Sequence, residues 1–182
     1  MSKFLNHSSQ LTVWSFDIDG IFNDYPQVWL DYIFQETNKK FKSKDDARDL
    51  LGDDYWILKE KYRMSDFKYQ VPINPDAQYL TSALKNRGDR IIIATSRPFN
   101  RYPFMRDRTS SWLNSKGILF DSLIRKDDLY KEHFDIHIDD ELKDILQVKS
   151  FAKSKKYILL SSAEIASEID GVEIISSLKE LI

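Results

Sequence analysis

Short apolar runs alternate with longer amphipathic stretches along this chain. Residues 12–16 are β-branched and aromatic, stop at Asp17 and lead to Gly20, which reads as a buried strand ending in a turn. From residue 25 to about residue 70 the pattern changes. Tyr25, Trp29, Tyr32 and Ile33 fall at helical spacing between charged stretches such as residues 42–48, which predicts a mainly helical insertion. Asn74-Pro75 then opens an amphipathic helix with Ala77, Leu80, Ala83 and Leu84 inward and Gly88 as its stop signal. An apolar strand over 90–95 follows, then a helix over 106–116 with Gly117 behind it and a strand over 120–124. The remaining pattern predicts a short helix over 127–133, a strand over 134–139, a helix over 141–150, strands over 157–160 and 172–175, and a closing helix over 176–182.

Buried strands separated this regularly by helices predict a parallel sheet covered on both faces and connected by right-handed crossovers. Sites on such sheets gather beyond the carboxyl ends of the strands. Three of the predicted strands end there in reactive groups: Asp17-Ile18-Asp19-Gly20, Thr95-Ser96-Arg97 and Asp139-Asp140-Glu141.

Composition narrows the chemistry. The 182 residues suit one core with a modest accessory, and 42% hydrophobic with 31% charged residues is ordinary for a globular chain. A net charge of -2, from 27 basic and 29 acidic side chains, provides no basic track for nucleic acid and no general attraction to an anionic membrane. The absence of cysteine removes disulfides, thiolate catalysis and cysteine-type zinc sites, and three scattered histidines give no spaced metal pair. The N-terminal residues lack the apolar stretch of a signal peptide, and no later run approaches the ~18 apolar residues of a membrane span. A cytoplasmic protein without a membrane partner is therefore expected. Any chemistry must use carboxylates, hydroxyls and amines.

Four carboxylates, Asp17, Asp19, Asp139 and Asp140, drawn to one sheet edge would repel one another, and a divalent cation with hard oxygen ligands is the usual remedy. Mg2+ suits such a site, because it binds through one or two carboxylates plus substrate phosphate.

With Asp-x-Asp-Gly after an apolar strand, a hydroxyl closing the second strand and paired aspartates closing the fourth, the chain resembles the haloacid dehalogenase superfamily over nearly its whole length. The resemblance implies an α/β fold with a Rossmann-like three-layer α/β/α core, a parallel sheet and a small helical cap inserted after the first motif. The core would take residues 1–23 and 72–182 and the cap residues 24–71. It also implies a phosphatase in which Asp17 is the nucleophile that forms an aspartyl-phosphate, and Asp19 the general acid and base. Thr95 would hydrogen-bond the phosphoryl group, and Lys126, with Lys131 on the same short helix as an alternative, would balance its charge. Asp139 and Asp140 would reach the metal together with Asp17 and the backbone carbonyl of Asp19. Ile21 departs from the threonine or valine common after the glycine but keeps the β-branched shape.

The substrate implied is a small phosphorylated metabolite. Ser96, Arg97 and Arg101, in the loop after the hydroxyl motif, are the candidates to grip it, whereas Arg106 and Arg108 read as a solvated helix face. The arrangement is similar to that of the 5'(3')-deoxyribonucleotidases, which stack a base on cap aromatics. Here Tyr25, Trp29, Tyr32, Phe34, Phe41, Tyr55 and Trp56 either do the same or form the cap's own core. A sugar-phosphate phosphatase, a phosphotransferase and a non-catalytic phospho-ligand binding protein are the alternatives to a nucleotidase, and a nucleic-acid 3'-phosphatase is disfavoured by the charge.

Overall fold

The structure is a computed structural model that describes residues 11–152, 154–161 and 169–182; the N-terminal stretch read above for a signal peptide lies largely outside them. Six parallel strands form one sheet among the described residues: β1 (Val13–Phe16), β2 (Arg90–Thr95), β3 (Ser122–Arg125), β4 (Ile136–Asp139), β5 (Lys156–Leu160) and β6 (Val172–Ile175), in the spatial order β3-β2-β1-β4-β5-β6. The first four helices after β1, ahead of the helix that leads into β2, are α1 (Gln27–Thr37), α2 (Lys44–Leu51), α3 (Asp53–Met64) and α4 (Phe67–Gln70). Then come α5 (Pro75–Asn86), α6 (Phe104–Ser115) after β2, and α7 (Leu142–Phe151) after β4. This is the Rossmann-like α/β architecture expected from the pattern.

Alternation along the strands separates two apolar layers. Ile91 and Ile93 of β2 join Trp14 and Phe16 of β1 in a core shared with Leu80 and Leu84 of α5. Ile92 and Ala94 face the other way, onto Ile145 and Val148 of α7. The pairing Phe16↔Ile93 and Phe16↔Ile138 places the ends of β2, β1 and β4 side by side. Three chemical motifs far apart in sequence therefore share one edge.

Differences from the predicted elements are local. Helix α6 starts at Phe104, because Pro103 already has helical angles at its N-cap, φ -55° and ψ -38°. The short helices expected over 127–133 and 176–182 are 3-10 turns, Lys126–Lys131 and Leu178–Leu181. The second is fixed by a capping box between Ser177 and Glu180. Strand β4 begins after Asp135, whose side chain accepts from the Val13 amide at 2.9 Å and so marks the strand's entrance. No helix among the described residues is long and apolar enough to cross a membrane.

The α1–α4 segment has its own aromatic centre. Trp29 is fully buried, stands edge-on to Tyr55 at 5.4 Å and against Tyr62 at 5.2 Å, and donates its indole N–H to the Tyr55 hydroxyl at 3.2 Å. Tyr32 is buried in the same cluster. These rings pack on one another as a small core, whereas Phe34 and Trp56 are exposed on the surface. Trp29→Ala removes the centre of that core and is expected to destabilise the protein by about 3–5 kcal/mol in chemical denaturation; an unchanged midpoint would contradict this packing.

Candidate active site

Strand β1 lies between β2 and β4, and its ladder continues one residue past Phe16, where the Asp17 amide donates to the Ile138 carbonyl at 3.0 Å. Asp17 thus emerges beside Asp139, the last residue of β4, while Thr95 closes β2 on the other side.

Lys126 joins these ends. Its ammonium, almost fully buried, lies 3.3 Å from Asp17 Oδ1, 2.7 Å from Asp139 Oδ2 and 2.6 Å from Asp144 Oδ2. Burial pulls the Lys126 pKa down, but the Asp17 and Asp139 charges outweigh it and hold the ammonium well above the ordinary lysine range. Lys131, the other candidate on that turn, is exposed and pairs with Asp128 at 2.7 Å. Asp144 was not foreseen. It sits in the first turn of α7, where the helix N-terminus favours an anion, and its only sequence signal is that acidic first turn after Asp139-Asp140-Glu141.

One Lys126 charge does not neutralise the carboxylates. Oxygens of Asp17, Asp139 and Asp140 lie within 4.8 Å of one another, and Asp17 Oδ1 is buried without a hydrogen bond despite the nearby ammonium. Burial first, and then Asp139, push the Asp17 carboxyl well above its usual pKa, and the same two causes raise Asp140 to about 7. For Asp139, burial raises the pKa, but His137 at 3.5 Å and the Lys126 ammonium at 2.7 Å outweigh it and keep the carboxyl below the usual value. A hard divalent cation fits this donor set: oxygen ligands only, excess negative charge and one buried oxygen lacking a partner.

Gly20 makes the arrangement possible. Its φ is +85°, and a Cβ there would stand 2.0 Å from Asp140 Oδ2, so the Asp140 carboxylate occupies the space that any other residue would fill.

Asp19 lies apart from that cluster. One of its oxygens accepts from Arg97 and from Asn23, each at 2.9 Å. Burial raises its pKa, but the Arg97 charge and these two hydrogen bonds more than offset it and leave the carboxyl below the usual range. Arg97 is buried, and besides Asp19 it donates to Thr109 Oγ1 at 3.2 Å and lies over the Trp112 ring. Its guanidinium is therefore committed to Asp19 and α6. Asn23, buried and unnoticed in the sequence, also caps the turn by accepting from the Gly20 and Tyr25 amides. An asparagine in a turn is itself the signal that could have found it. Thr95 Oγ1 accepts from the Arg97 amide at 3.3 Å. Ser96 is exposed, and Arg101 reaches outward to Glu60 at 3.2 Å.

Above these groups is a cavity of about 320 Å³. Asp17, Asp19, Thr95, Ser96, Arg97 and Asp140 line its floor, and Arg101 is not part of its wall. Residues of the α1–α4 segment cover it, among them Tyr25, Lys44, Lys59, Tyr62, Arg63 and Lys68. Lys44 also bonds Glu141, tying α2 to the end of β4, and Tyr102 donates to Glu60 of α3. Sequence pattern placed the aromatics of this segment but not its lysines, because lysines at helical spacing read as a solvated face.

No protein-family model and no curated protein matches the chain in sequence. Solved structures match its fold throughout. A haloacid dehalogenase-like hydrolase assignment from Bacteroides fragilis shares 18% identity at a TM-score of 0.59, over 95% of this chain and 100% of that one. A phosphatase assignment from Clostridium acetobutylicum shares 14% at a TM-score of 0.67, over 94% and 97%. The D,D-heptose 1,7-bisphosphate phosphatase of B. bronchiseptica, solved with magnesium and phosphate, shares 13% at 0.53, over 94% and 96%. The chain therefore has the haloacid dehalogenase-like fold, as its motifs implied.

Two expectations follow from the charges. Lys126→Met leaves Asp139 buried without its cation and is expected to cost about 3–5 kcal/mol in urea denaturation with EDTA present; no loss would contradict the pairing. Burial above all, and then Arg97, lower the Lys68 pKa from the 10.5 of a free lysine to about 7. Folding therefore releases this proton between those two values, so the native state gains stability as pH rises through that window and loses it as pH falls. Lys68→Met removes the dependence, and the variant's melting temperature relative to wild type should rise as pH falls from about 10 to about 6. A constant difference would contradict the burial of a charged Lys68.

Proposed function

We propose that the protein is a magnesium-dependent phosphomonoester hydrolase that works through an aspartyl-phosphate on Asp17. The observation that carries this reading is the buried Asp17 carboxylate at the cavity floor, with Oδ1 free of hydrogen bonds and Lys126, Asp139 and Asp140 around it. The fold shared with phosphatases supports it.

Asp17, Asp139 and Asp140 would hold the magnesium ion, which when bound supplies positive charge for these carboxylates and for the substrate's phosphate oxygens. The chain's own groups do the rest. An Asp17 oxygen attacks phosphorus and the bond to the leaving oxygen breaks, while Lys126 and the Thr95 hydroxyl stabilise the charge on the phosphoryl group. Asp19 gives its proton to the leaving oxygen, then takes one from the water that attacks the phosphorus of the aspartyl-phosphate, releasing phosphate and restoring Asp17. The lowered pKa of Asp19 suits the second half of that task. For the first half, Asp19 must take up a proton as the substrate's dianionic phosphate enters beside it. Residues 24–71 act as a cap on the core formed by 1–23 and 72–182, excluding bulk water when closed.

The leaving group is read as a small polar molecule and not a nucleoside. Trp29, Tyr32 and Tyr55 are spent on the cap's core, and the cavity suits a ligand at the small end of the usual range, about 300–1,000 Å³. Arg97 lines the cavity and positions Asp19 through their ion pair.

Phosphate release from a panel of phosphomonoesters, with magnesium or EDTA, tests this reading. Wild type should turn over at least one compound only with magnesium, and Asp17→Asn should lose roughly 10³-fold or more, since the nucleophile is gone. Turnover that survives the substitution would refute it.

A further inference from the structure

The charged groups around the cavity pair off unevenly. Arg97 pairs with Asp19, Lys126 with three carboxylates, Lys44 and Lys143 with Glu141, and Arg63 with Glu60. Two ammonium groups on the cavity wall pair with no carboxylate among the described residues: Lys59 of α3 and Lys68 of α4. Lys59 donates to the Tyr25 hydroxyl at 3.3 Å and lies over the Trp29 ring at 4.3 Å. Lys68, 3% exposed, donates to the Arg63 carbonyl at 2.6 Å. Both stand against the Tyr62 ring, 5.5 and 5.7 Å from its centre.

Ordinary lysine behaviour does not explain this pair. A lysine that merely covers apolar surface keeps its ammonium in water, and a buried one gains a carboxylate. Here Lys68 is buried and Lys59 half-buried, each packed on the Tyr62 ring, and burial lowers Lys59 to about 8 and Lys68 to about 7. Such groups destabilise the empty protein and gain a partner when an anion enters. Their position gives that anion a place. Lys59 and Lys68 line the same cavity as Asp19 and its partner Arg97. They belong to α3 and α4, the covering segment, whereas Asp17, Asp19 and Asp140 belong to the strand ends, so on the hydrolase reading they face the part of the substrate that projects away from the reacting phosphorus.

We propose that Lys59 and Lys68 form a second anion subsite, so that the substrate is a small phosphomonoester whose leaving group carries another anionic group, a carboxylate or a second phosphate. This rests on the hydrolase reading for which end of the substrate reacts. The α3–α4 face then does more than close over the site: it selects the leaving group by charge. A nucleoside, whose sugar and base are neutral, leaves both ammoniums unpaired, whereas a bisphosphate or a phosphorylated hydroxy acid satisfies them.

Matched substrate pairs test the subsite. Fructose 1,6-bisphosphate against fructose 6-phosphate removes the second phosphate, and 3-phosphoglycerate against glycerol 3-phosphate removes the carboxylate. Wild type with magnesium should prefer the doubly anionic member of at least one pair by tenfold or more in kcat/KM, and which pair shows it names the anion. Lys59→Met and Lys68→Met should each shrink that preference, mainly through KM, and Lys59→Arg should retain it. If Lys68→Met fails to fold, Lys59→Met carries the test. Turnover with equal rates within both pairs, or a preference that both methionine variants keep, overturns the subsite. If no compound is turned over, the hydrolase reading has failed separately, and calorimetric binding of 3-phosphoglycerate against glycerol 3-phosphate decides the subsite. Tenfold tighter binding of the former, lost in Lys59→Met, supports it, and equal binding overturns it.

Discussion

A single buried ammonium holds the reactive edge of this sheet together. Lys126 draws in carboxylates from three elements: Asp17 after β1, Asp139 at the end of β4 and Asp144 in the first turn of α7. In a low-dielectric interior these charges are tolerable only because they are close and hydrogen-bonded, so their positions are tightly constrained. The constraint also leaves a surplus. Three anions around one cation, with Asp140 alongside, create the demand for a further positive charge that a divalent metal would meet.

That surplus gives the cavity a direction. Its floor is negative where Asp17 and Asp140 meet, and its covering face is positive where Lys59 and Lys68 pair with no carboxylate among the described residues. Arg97, also on the floor, is neutralised by Asp19. On the proposed reading a substrate lies along this gradient, with its transferring phosphoryl group at the floor and its leaving group beneath α3 and α4. Folding stability is given up at both poles to create it, as is common where function requires charge in a poorly hydrated place.

Much of the frame was legible because it depends on short-range patterns. Apolar runs ending at Asp17, Thr95 and Asp139 predict buried parallel strands, and the register Phe16↔Ile138 brings those ends together as the motif order implied. The change of periodicity after Tyr25 marked the helical insertion, observed as α1–α4. What escaped the sequence depends on tertiary pairing. Arg97 next to a hydroxyl motif reads as a substrate ligand, yet its guanidinium is taken by an aspartate 78 residues away. Lys68 drew no notice in the sequence, yet it is buried against Tyr62 and Tyr69. Asp144 and Asn23 belong to a helix start and a turn, where such residues have routine local uses, so their contribution to the site appears only once the sheet assembles.

The claim on which the rest turns is that Asp17 is the atom donor to phosphorus, and covalent trapping addresses it most directly. The protein would be quenched during turnover of its best substrate with magnesium, reduced with borohydride, which converts an acyl phosphate to an alcohol, and digested for mass spectrometry. The account predicts reduction at Asp17, dependent on both substrate and magnesium and absent with EDTA. Turnover accompanied by no reduced residue, or by reduction at a different carboxylate, would contradict it.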